Sequence, residues 1–181
     1  KKIYSGEDYF IFSKKILNIS KKNLKKKNQI IISCGGSDTN GLTYKILKKI
    51  YNYSGNTYSI KVIIGPFFSK KNIKKIKVLS KKFSKTTIFK NPKNFYRMVS
   101  ESKIAIINSG NTKYECAILG TPFVLFANKP SDKNSCLDFS KKFKVLNKNF
   151  VYNKINIINI FIKYFNDLKK INSIAKYNRN A

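Results

Sequence analysis

The chain has 181 residues, of which 42% are hydrophobic and 14% aromatic, and this composition is typical of one globular domain with a sizeable core. The sequence contains no run of about 18 apolar residues, which excludes an ordinary transmembrane helix. Cys34, Cys116 and Cys136 have no C-x-x-C spacing and no histidine accompanies them, which argues against a metal site or a disulfide framework. We therefore expect no metal, no cofactor and a reducing, cytoplasmic environment.

The formal net charge of +30 results from 38 basic and 8 acidic residues. Such an excess alone indicates nucleic acid or an anionic membrane as the partner. Arg97 and Arg179 are the only arginines, however, whereas base readout and bidentate phosphate contacts favour arginine over lysine. Because Ile, Asn, Lys and Tyr are abundant together, we favour an AT-rich coding sequence with lysines on solvated faces. Attraction to an anionic membrane or substrate is the second interpretation, and we expect no specific binding of nucleic acid.

The segment before residue 29 has a weak pattern, and we predict that residues 1–28 are a linker or a domain-edge segment. Its start, Lys1-Lys2-Ile3, lacks the apolar core of a signal peptide and an initiator Met, which leads us to expect a shortened chain. From residue 29 onward, short apolar runs alternate with helical patterns. The predicted strands are 29–34, 59–64, 86–89, 104–107, 123–127 and 144–146, and the predicted helices are 42–53, 72–83, 92–102, 111–119, 133–143 and 154–170.

This alternation with short connections predicts βαβ units, and hence an α/β fold with a doubly wound parallel sheet of about six strands, covered by helices on both faces. Residues 29–181 would form this Rossmann-like domain. In such a sheet, ligands bind beyond the carboxyl ends of the strands, where the strand order reverses. In the usual order the first and fourth strands are neighbours at that point, so we expect the site in the loops that follow them.

The first loop, residues 35–41, contains Gly35-Gly36-Ser37-Asp38. Paired glycines allow a tight turn and the close approach of a ligand, and the N-terminus of the next helix offers free N–H groups to an anion. The alternative is a plain strand-to-helix turn with Asp38, Thr39 or Asn40 as the helix cap.

The second loop, residues 108–112, again places a glycine between hydroxyl and amide side chains, and Glu115 follows one turn into the next helix. Thr112 and Glu115 have the spacing of a capping box, in which Glu115 bonds back to the Thr112 N–H. A carboxylate at this place can instead accept hydrogen bonds from two ribose hydroxyls. The spacing leaves both interpretations open.

These residues also carry a family resemblance. The run I-I-I-S-C-G-G-S-D-x-N-x-L-T, which begins at Ile30, resembles the opening of the C-terminal domain of the PseG hydrolases, which remove UDP from a UDP-linked sugar during pseudaminic acid synthesis. The run N-S-G-N-T-K-Y-E-C-A-I-L-G-T-P-F-V-L, which begins at Asn108, resembles the nucleotide-sugar signature shared by PseG and the MurG glycosyltransferases. The resemblance covers residues 30–142 and implies the C-terminal half of a GT-B enzyme.

The resemblance implies a set of nucleotide-sugar-binding residues. In the first loop they lie beside the phosphates, in the second loop they hold the diphosphate, and Glu115 holds the ribose. Two residues at the end of the third strand read uracil through their backbone, and an amide after the fifth strand contacts the sugar. The full set is Gly35, Gly36, Ser37, Phe89, Lys90, Ser109, Gly110, Asn111, Thr112, Glu115 and Asn134.

The function implied is the UDP-sugar-binding half of a PseG-like hydrolase in surface polysaccharide synthesis. The alternative is the donor-binding domain or subunit of a MurG-like glycosyltransferase using UDP-GlcNAc-type donors. Both families place the catalytic base in an N-terminal domain, and none of Glu7, Asp8 and Glu101 falls in the predicted crevice. We therefore expect a UDP-sugar ligand, a partner in the form of that domain or of a separate acceptor subunit, and no catalytic base in this chain. We expect a cytoplasmic location. Peripheral contact with the inner face of an anionic membrane is a further option.

Overall fold

A computed structural model of the chain describes residues 3, 9–22, 24–54, 58–151 and 155–181. The strands are β1 (Lys27–Ser33), β2 (Ser59–Ile64), β3 (Thr86–Lys90), β4 (Ser102–Asn108) and β5 (Phe123–Phe126). The helices are α1 (Lys14–Ser20), α2 (Leu42–Ser54), α3 (Lys70–Ser80), α4 (Phe95–Glu101), α5 (Thr112–Ile118), α6 (Asp132–Lys142), α7 (Ile157–Tyr164) and α8 (Leu168–Asn180).

The five strands form one parallel sheet in the order β3-β2-β1-β4-β5. Strand β1 lies in the middle, and its three consecutive isoleucines, residues 30–32, are fully buried because helices cover both faces. Ile30 and Ile32 face the core beneath α2, α3, α7 and α8, whereas Ile31 faces the core beneath α1, α4, α5 and α6. The predicted doubly wound α/β fold is therefore confirmed, with β1 and β4 adjacent at the switch point.

Two predicted helices have different ends in the structure. The helix predicted over 92–102 begins at Phe95, because Pro92 lies in a preceding turn where its carbonyl accepts a hydrogen bond from the Phe95 N–H. The single helix predicted over 154–170 is two helices, α7 and α8. Asp167 starts the second helix by accepting a hydrogen bond from the Lys170 N–H at 2.9 Å. An aspartate that caps an N-terminus favours a new helix over continuation of the old one.

The predicted sixth strand, 144–146, is not a strand in the structure. The segment nevertheless runs beside the edge of β5, where the Leu146 N–H donates to the Phe123 carbonyl at 3.0 Å. The Asn147 side chain then replaces a peptide group, because its Oδ1 accepts from the Leu125 N–H at 2.9 Å and its Nδ2 donates to the Leu125 carbonyl at 2.8 Å. The edge of β5 is thereby covered without a further strand.

Part of the segment 1–28 is ordered against the domain. Helix α1 buries Ile16 in the core and packs against α4 and α5, and β1 begins two residues before the predicted position. The boundary at residue 28 stays a prediction. No helix within the described ranges combines the length and the apolar character that a membrane crossing requires.

Replacing Asn147 by Leu is expected to destabilise the fold by about 2–6 kcal/mol, because it leaves the N–H and carbonyl of Leu125 buried without partners at roughly 1–3 kcal/mol each. Urea denaturation followed by circular dichroism measures this loss. The matched control is Asn52→Leu on an exposed position of α2, which should change the stability by less than about 0.5 kcal/mol. Equal effects of the two substitutions would contradict the role of Asn147.

Candidate functional site

The first and second loops meet at the carboxyl edge of the sheet. Gly35 has a φ of +77°, and a Cβ atom built on it would lie 2.6 Å from Nδ2 of Asn108. The backbone of the first loop therefore packs directly on the side chain that opens the second loop, and only glycine allows both the conformation and the contact. The two loops that the sequence predicts to share one crevice are brought together by the structure.

The first loop is fixed by Asp38, which is buried and has a φ of +43°. Its Oδ1 accepts from the Leu42 N–H at 2.7 Å, and its Oδ2 accepts from the Thr43 N–H at 3.0 Å. Burial raises the pKa of Asp38, and these backbone hydrogen bonds oppose that rise. Both carboxylate oxygens are used at the start of α2, which agrees with the capping interpretation of Asp38 and leaves Gly36 and Ser37 exposed at the rim.

A loop that the sequence analysis did not include supports the first loop from the other side. It is residues 65–68, after β2, where the Phe67 N–H donates to the Gly36 carbonyl at 2.9 Å. A Cβ atom on Gly65 would lie 2.5 Å from the Gly35 and Gly36 carbonyl oxygens. The Phe67 ring is 78% exposed beside Gly36. The sequence signal was the Gly-Pro pair followed by two phenylalanines, which predicts a turn and gives no indication of its neighbour.

The second loop is tied to α6. Ser109 Oγ donates to Asp132 Oδ2 at 2.9 Å, and one turn further the buried Lys113 donates from Nζ to Ser135 Oγ at 2.8 Å. Asn134, the predicted sugar-contacting amide, lies exposed in the first turn of α6, the turn whose Asp132 contacts Ser109 of the second loop. Gly110 and Asn111 are exposed, and Thr112 is the first residue of α5.

Asn108 occupies the junction between the two loops. Its side chain is buried, and its Oδ1 finds no hydrogen-bond partner among the described residues. A buried carbonyl oxygen without a partner costs free energy, and such atoms mark positions where a donor from outside the chain can bind. The contact with Gly35 keeps this side chain at the junction of the two loops.

Glu115 is the fourth residue of α5 and is hydrogen-bonded to the side chains of Tyr96 and Thr112. Tyr96 is in turn hydrogen-bonded to Ser13, so the carboxylate links α5 to α4 and to the start of α1. Burial raises the pKa of Glu115 above its ordinary value of 4.5, and the two hydrogen bonds oppose the rise. The bond to Thr112 is local, as the capping interpretation requires, but it involves the Thr112 side chain. Glu115 remains placed to accept ribose hydroxyls in exchange for these partners.

Phe89 and Lys90 lie further away than the other predicted residues. They end β3, which is three strand positions from β4, or roughly 14 Å at 4.8 Å per strand. Phe89 is half-buried and packs in the core beneath α4, and Lys90 is exposed. The connection to the crevice runs through residues 91–95 into α4, whose Tyr96 reaches Glu115. The structure therefore joins this pair to the second loop through α4, without direct contact.

The acidic side chains at this edge already have hydrogen-bond partners. Asp38 caps α2, Asp132 accepts from Ser109 and Glu115 is bonded to Tyr96 and Thr112. Glu101 lies at the opposite edge, in ion pairs with Lys27 at 2.6 Å and Arg97 at 2.9 Å. Glu7 and Asp8 lie outside the described residues. Within the described part of the chain, no cluster of His, Cys, Asp or Glu side chains could hold a metal ion.

The family described as lipid-A-disaccharide synthetase matches residues 7–165 of the chain. Among curated proteins, the uncharacterized protein MJ1062 of Methanocaldococcus jannaschii is 27% identical over 147 residues. This match covers 77% of the present chain and 30% of that protein.

Two solved structures are similar in fold. A mutant of S. aureus TarM, in complex with fondaparinux, alpha-GlcNAc-glycerol and UDP, superposes with a TM-score of 0.61 at 12% identity, over 88% of this chain and 32% of that one. The UDP-GlcNAc 2-epimerase from Neisseria meningitidis, bound to UDP-GlcNAc, superposes with a TM-score of 0.55 at 18% identity, over 90% of this chain and 42% of that one. At these identities the similarity shows the Rossmann-like fold of GT-B proteins. The chain spans 30% to 42% of the length of these three relatives.

Gly35→Ala is expected to destabilise the protein by more than about 1–2 kcal/mol, the cost of a left-handed backbone for a residue with a Cβ, because Asn108 must also move. The neighbouring Gly36→Ala is the matched control. Its Cβ would meet only Phe67 Cδ2 at an ordinary 3.6 Å, so no loss is expected. Urea denaturation of both variants tests this, and a similar loss for both would show that the loops do not depend on the Gly35 contact.

Glu115→Gln is expected to stabilise the protein at neutral pH. Because the folded state raises the pKa of Glu115, the folded state holds the proton more tightly, and ionisation above the raised pKa costs stability. The stability of the wild type should rise as the pH falls through the raised pKa, and its difference from the variant should vanish below 4.5. Urea denaturation as a function of pH measures this, with Asp138→Asn, an exposed acid on α6, as the control. A pH-independent difference would contradict the assignment.

Proposed function

This chain belongs to the lipid-A-disaccharide synthetase family, and we propose that it is the UDP-sugar-binding half of a glycosyltransferase. The observation that carries the proposal is the contact of Gly35 with Asn108, which brings the first and second loops together at the β1–β4 switch point. TarM was solved with UDP and the epimerase with UDP-GlcNAc, and both share this fold, which supports a uridine nucleotide as the ligand.

The pyrophosphate would lie across the two loops. The exposed Gly36, Ser37, Gly110 and Asn111 present backbone N–H groups without large side chains, and N–H groups at a helix start favour an anion. The unpartnered Oδ1 of Asn108 is an acceptor for a ligand hydroxyl at the same junction. The lysine-rich composition adds a general attraction for a ligand with two phosphates.

The ribose would bind at Glu115. In the free chain the carboxylate is hydrogen-bonded to Tyr96 and Thr112, and two vicinal hydroxyls of a ribose can replace these two partners. Phe89 and Lys90, joined to this place through α4, would contact the base, and Asn134 would contact the sugar from the first turn of α6. The placement of the residues and the resemblance of their motifs support these roles.

In transfer, an acceptor oxygen forms a bond to the anomeric carbon while the bond from that carbon to the UDP oxygen breaks. Negative charge then builds up on the leaving diphosphate, and N–H groups fixed in the two loops would stabilise that charge. The proton of the acceptor hydroxyl needs a base. Asp38, Asp132 and Glu115 already have hydrogen-bond partners, so we assign the base to the acceptor-binding part, either an N-terminal domain or a separate acceptor subunit.

A PseG-like hydrolase is the second candidate, and the observation that favours it is the run from Ile30 to Thr43, with its S-C-G-G-S-D sequence. Water would then take the place of the acceptor hydroxyl. Family membership favours transfer. For either reaction we propose a cytoplasmic location, in keeping with three free, buried thiols, and contact with an anionic membrane through the basic surface.

Calorimetry with UDP tests the site. We expect a micromolar to millimolar Kd, and Glu115→Ala should weaken binding about 10- to 100-fold, since hydrogen bonds to a charged group contribute roughly 1.5–3 kcal/mol. The wild type should prefer UDP to 2′-deoxy-UDP, and Glu115→Ala should lose this preference because its ribose acceptor is gone.

Asp138→Ala is the control, because it removes an exposed carboxylate of the same chain. Its Kd for UDP should equal that of the wild type. If neither the wild type nor the control binds UDP, the proposal fails, and an unchanged preference in Glu115→Ala would remove Glu115 from the ribose site. Incubation of the full-length protein with UDP-GlcNAc then separates the candidates, because release of the sugar without an acceptor marks a hydrolase.

A further inference from the structure

A basic cavity lies at the edge of the sheet opposite the two loops. Its volume is about 390 Å³, and it is formed by the connection before β1, the turn before β5 and helix α8. The turn consists of residues 119–121, which precede β5, so the cavity faces the amino ends of the strands. Strand β1, with seven residues, separates this edge from the first loop by roughly 20 Å. A small ligand in the cavity cannot contact both.

The charge of this cavity is unbalanced. Four of its lining residues are basic, namely Lys22, Lys25, Lys26 and Arg179, and none is acidic. Lysines are common over the whole chain, but Arg179 is one of two arginines and Lys26 is largely buried. A concave arrangement of cations that includes a guanidinium matches the geometry of a phosphate oxyanion better than scattered surface lysines do.

The turn before β5 holds two of these cations next to each other. Lys26 donates from Nζ to the Ser100 carbonyl at 2.8 Å and to Thr121 Oγ1 at 2.9 Å. The side chain of Arg179, from helix α8, packs against Gly120, the residue next to Thr121. A Cβ atom built on Gly120 would lie 2.6 Å from Arg179 Nε. Burial lowers the pKa of Lys26 to about 7; the nearby Cys116 opposes this shift and the Arg179 charge adds to it. Desolvation and a like charge both disfavour the ammonium form, and the opposite charge of a bound anion would offset both penalties.

We propose that this cavity binds a phosphate group, through Lys26 and Arg179 with Lys22 and Lys25 at its rim, independently of the nucleotide site. The ligand class is a phosphate monoester, whose source is either a small soluble molecule or the headgroup of a phospholipid. No residue of the first or second loop lines this cavity. The proposal therefore goes beyond the UDP-sugar function and stands or fails separately from it.

The test is a titration of the protein with inorganic phosphate at constant ionic strength, with UDP present to occupy the nucleotide loops. Thermal unfolding and calorimetry should show saturable binding by the wild type. Lys26→Met and Arg179→Gln should each weaken it at least about 10-fold, as expected when a charged hydrogen bond to the ligand is lost. Lys48→Gln, which removes one exposed lysine of α2, is the control of equal charge and should bind as the wild type does.

Two binding assays distinguish the two sources of the phosphate group. One uses glycerol phosphate, and the other uses phosphatidylcholine vesicles with and without phosphatidic acid. Saturable binding of glycerol phosphate supports a soluble ligand, and binding to the acidic vesicles alone, lost in Arg179→Gln, supports a headgroup. Absence of binding to all three probes overturns the proposal. An equal loss in Lys48→Gln also overturns it, because general charge would then explain the binding. Nuclear magnetic resonance of lysine-labelled protein adds a direct readout, since phosphate should raise the pKa of Lys26 from about 7.

Discussion

The contact of Gly35 with Asn108 is the constraint on which the carboxyl edge of the sheet depends. Adjacent parallel strands bring the ends of β1 and β4 together, and the loops can touch only because Gly35 has no side chain at a φ of +77°. Gly65 repeats this principle one strand away, where its missing Cβ makes room for the Gly35 and Gly36 carbonyls. Three loops therefore meet where Gly35 and Gly65 lack a side chain, and the exposed backbone at their rim is left for a ligand.

Acidic side chains organise this edge. The chain has 8 acidic residues, and Asp38, Asp132 and Glu115 all lie here. Asp38 fixes the start of α2, Asp132 fixes Ser109, and Glu115 joins α5 to α4. Such carboxylates orient donors and hydroxyls. Asp38 is bonded to backbone N–H groups, whereas Asp132 and Glu115 are half-buried and bonded to side-chain groups able to rotate away. This makes Glu115 suited to exchange its partners for ligand hydroxyls, at a cost in stability that its raised pKa reflects.

The sequence was sufficient to predict the strands β1 to β5, their order at the switch point and the two loops, because these follow from local hydrophobic runs and from the rule that ligands bind where strand order reverses. The sequence was not sufficient where contacts between residues far apart in the chain determine the structure. The amide of Asn147 completes the edge of β5 in place of a strand, and the hydrogen bond from Tyr96 to Glu115 joins residues that are 19 positions apart. Phe67 was missed for the same reason, since its position beside Gly36 depends on the pairing of β1 with β2.

The two edges of the sheet would attract anions by different physical means. At the carboxyl edge, carboxylates hold the loops and the attraction comes from oriented N–H groups, so selectivity for a nucleotide depends on geometry. At the amino edge, Lys26 and Arg179 are held side by side by residues 120 and 121, and their mutual repulsion favours any oxyanion that fits the cavity. Over most of the surface the lysines give only a general attraction for anions, whereas a desolvated lysine beside an arginine would give a specific one.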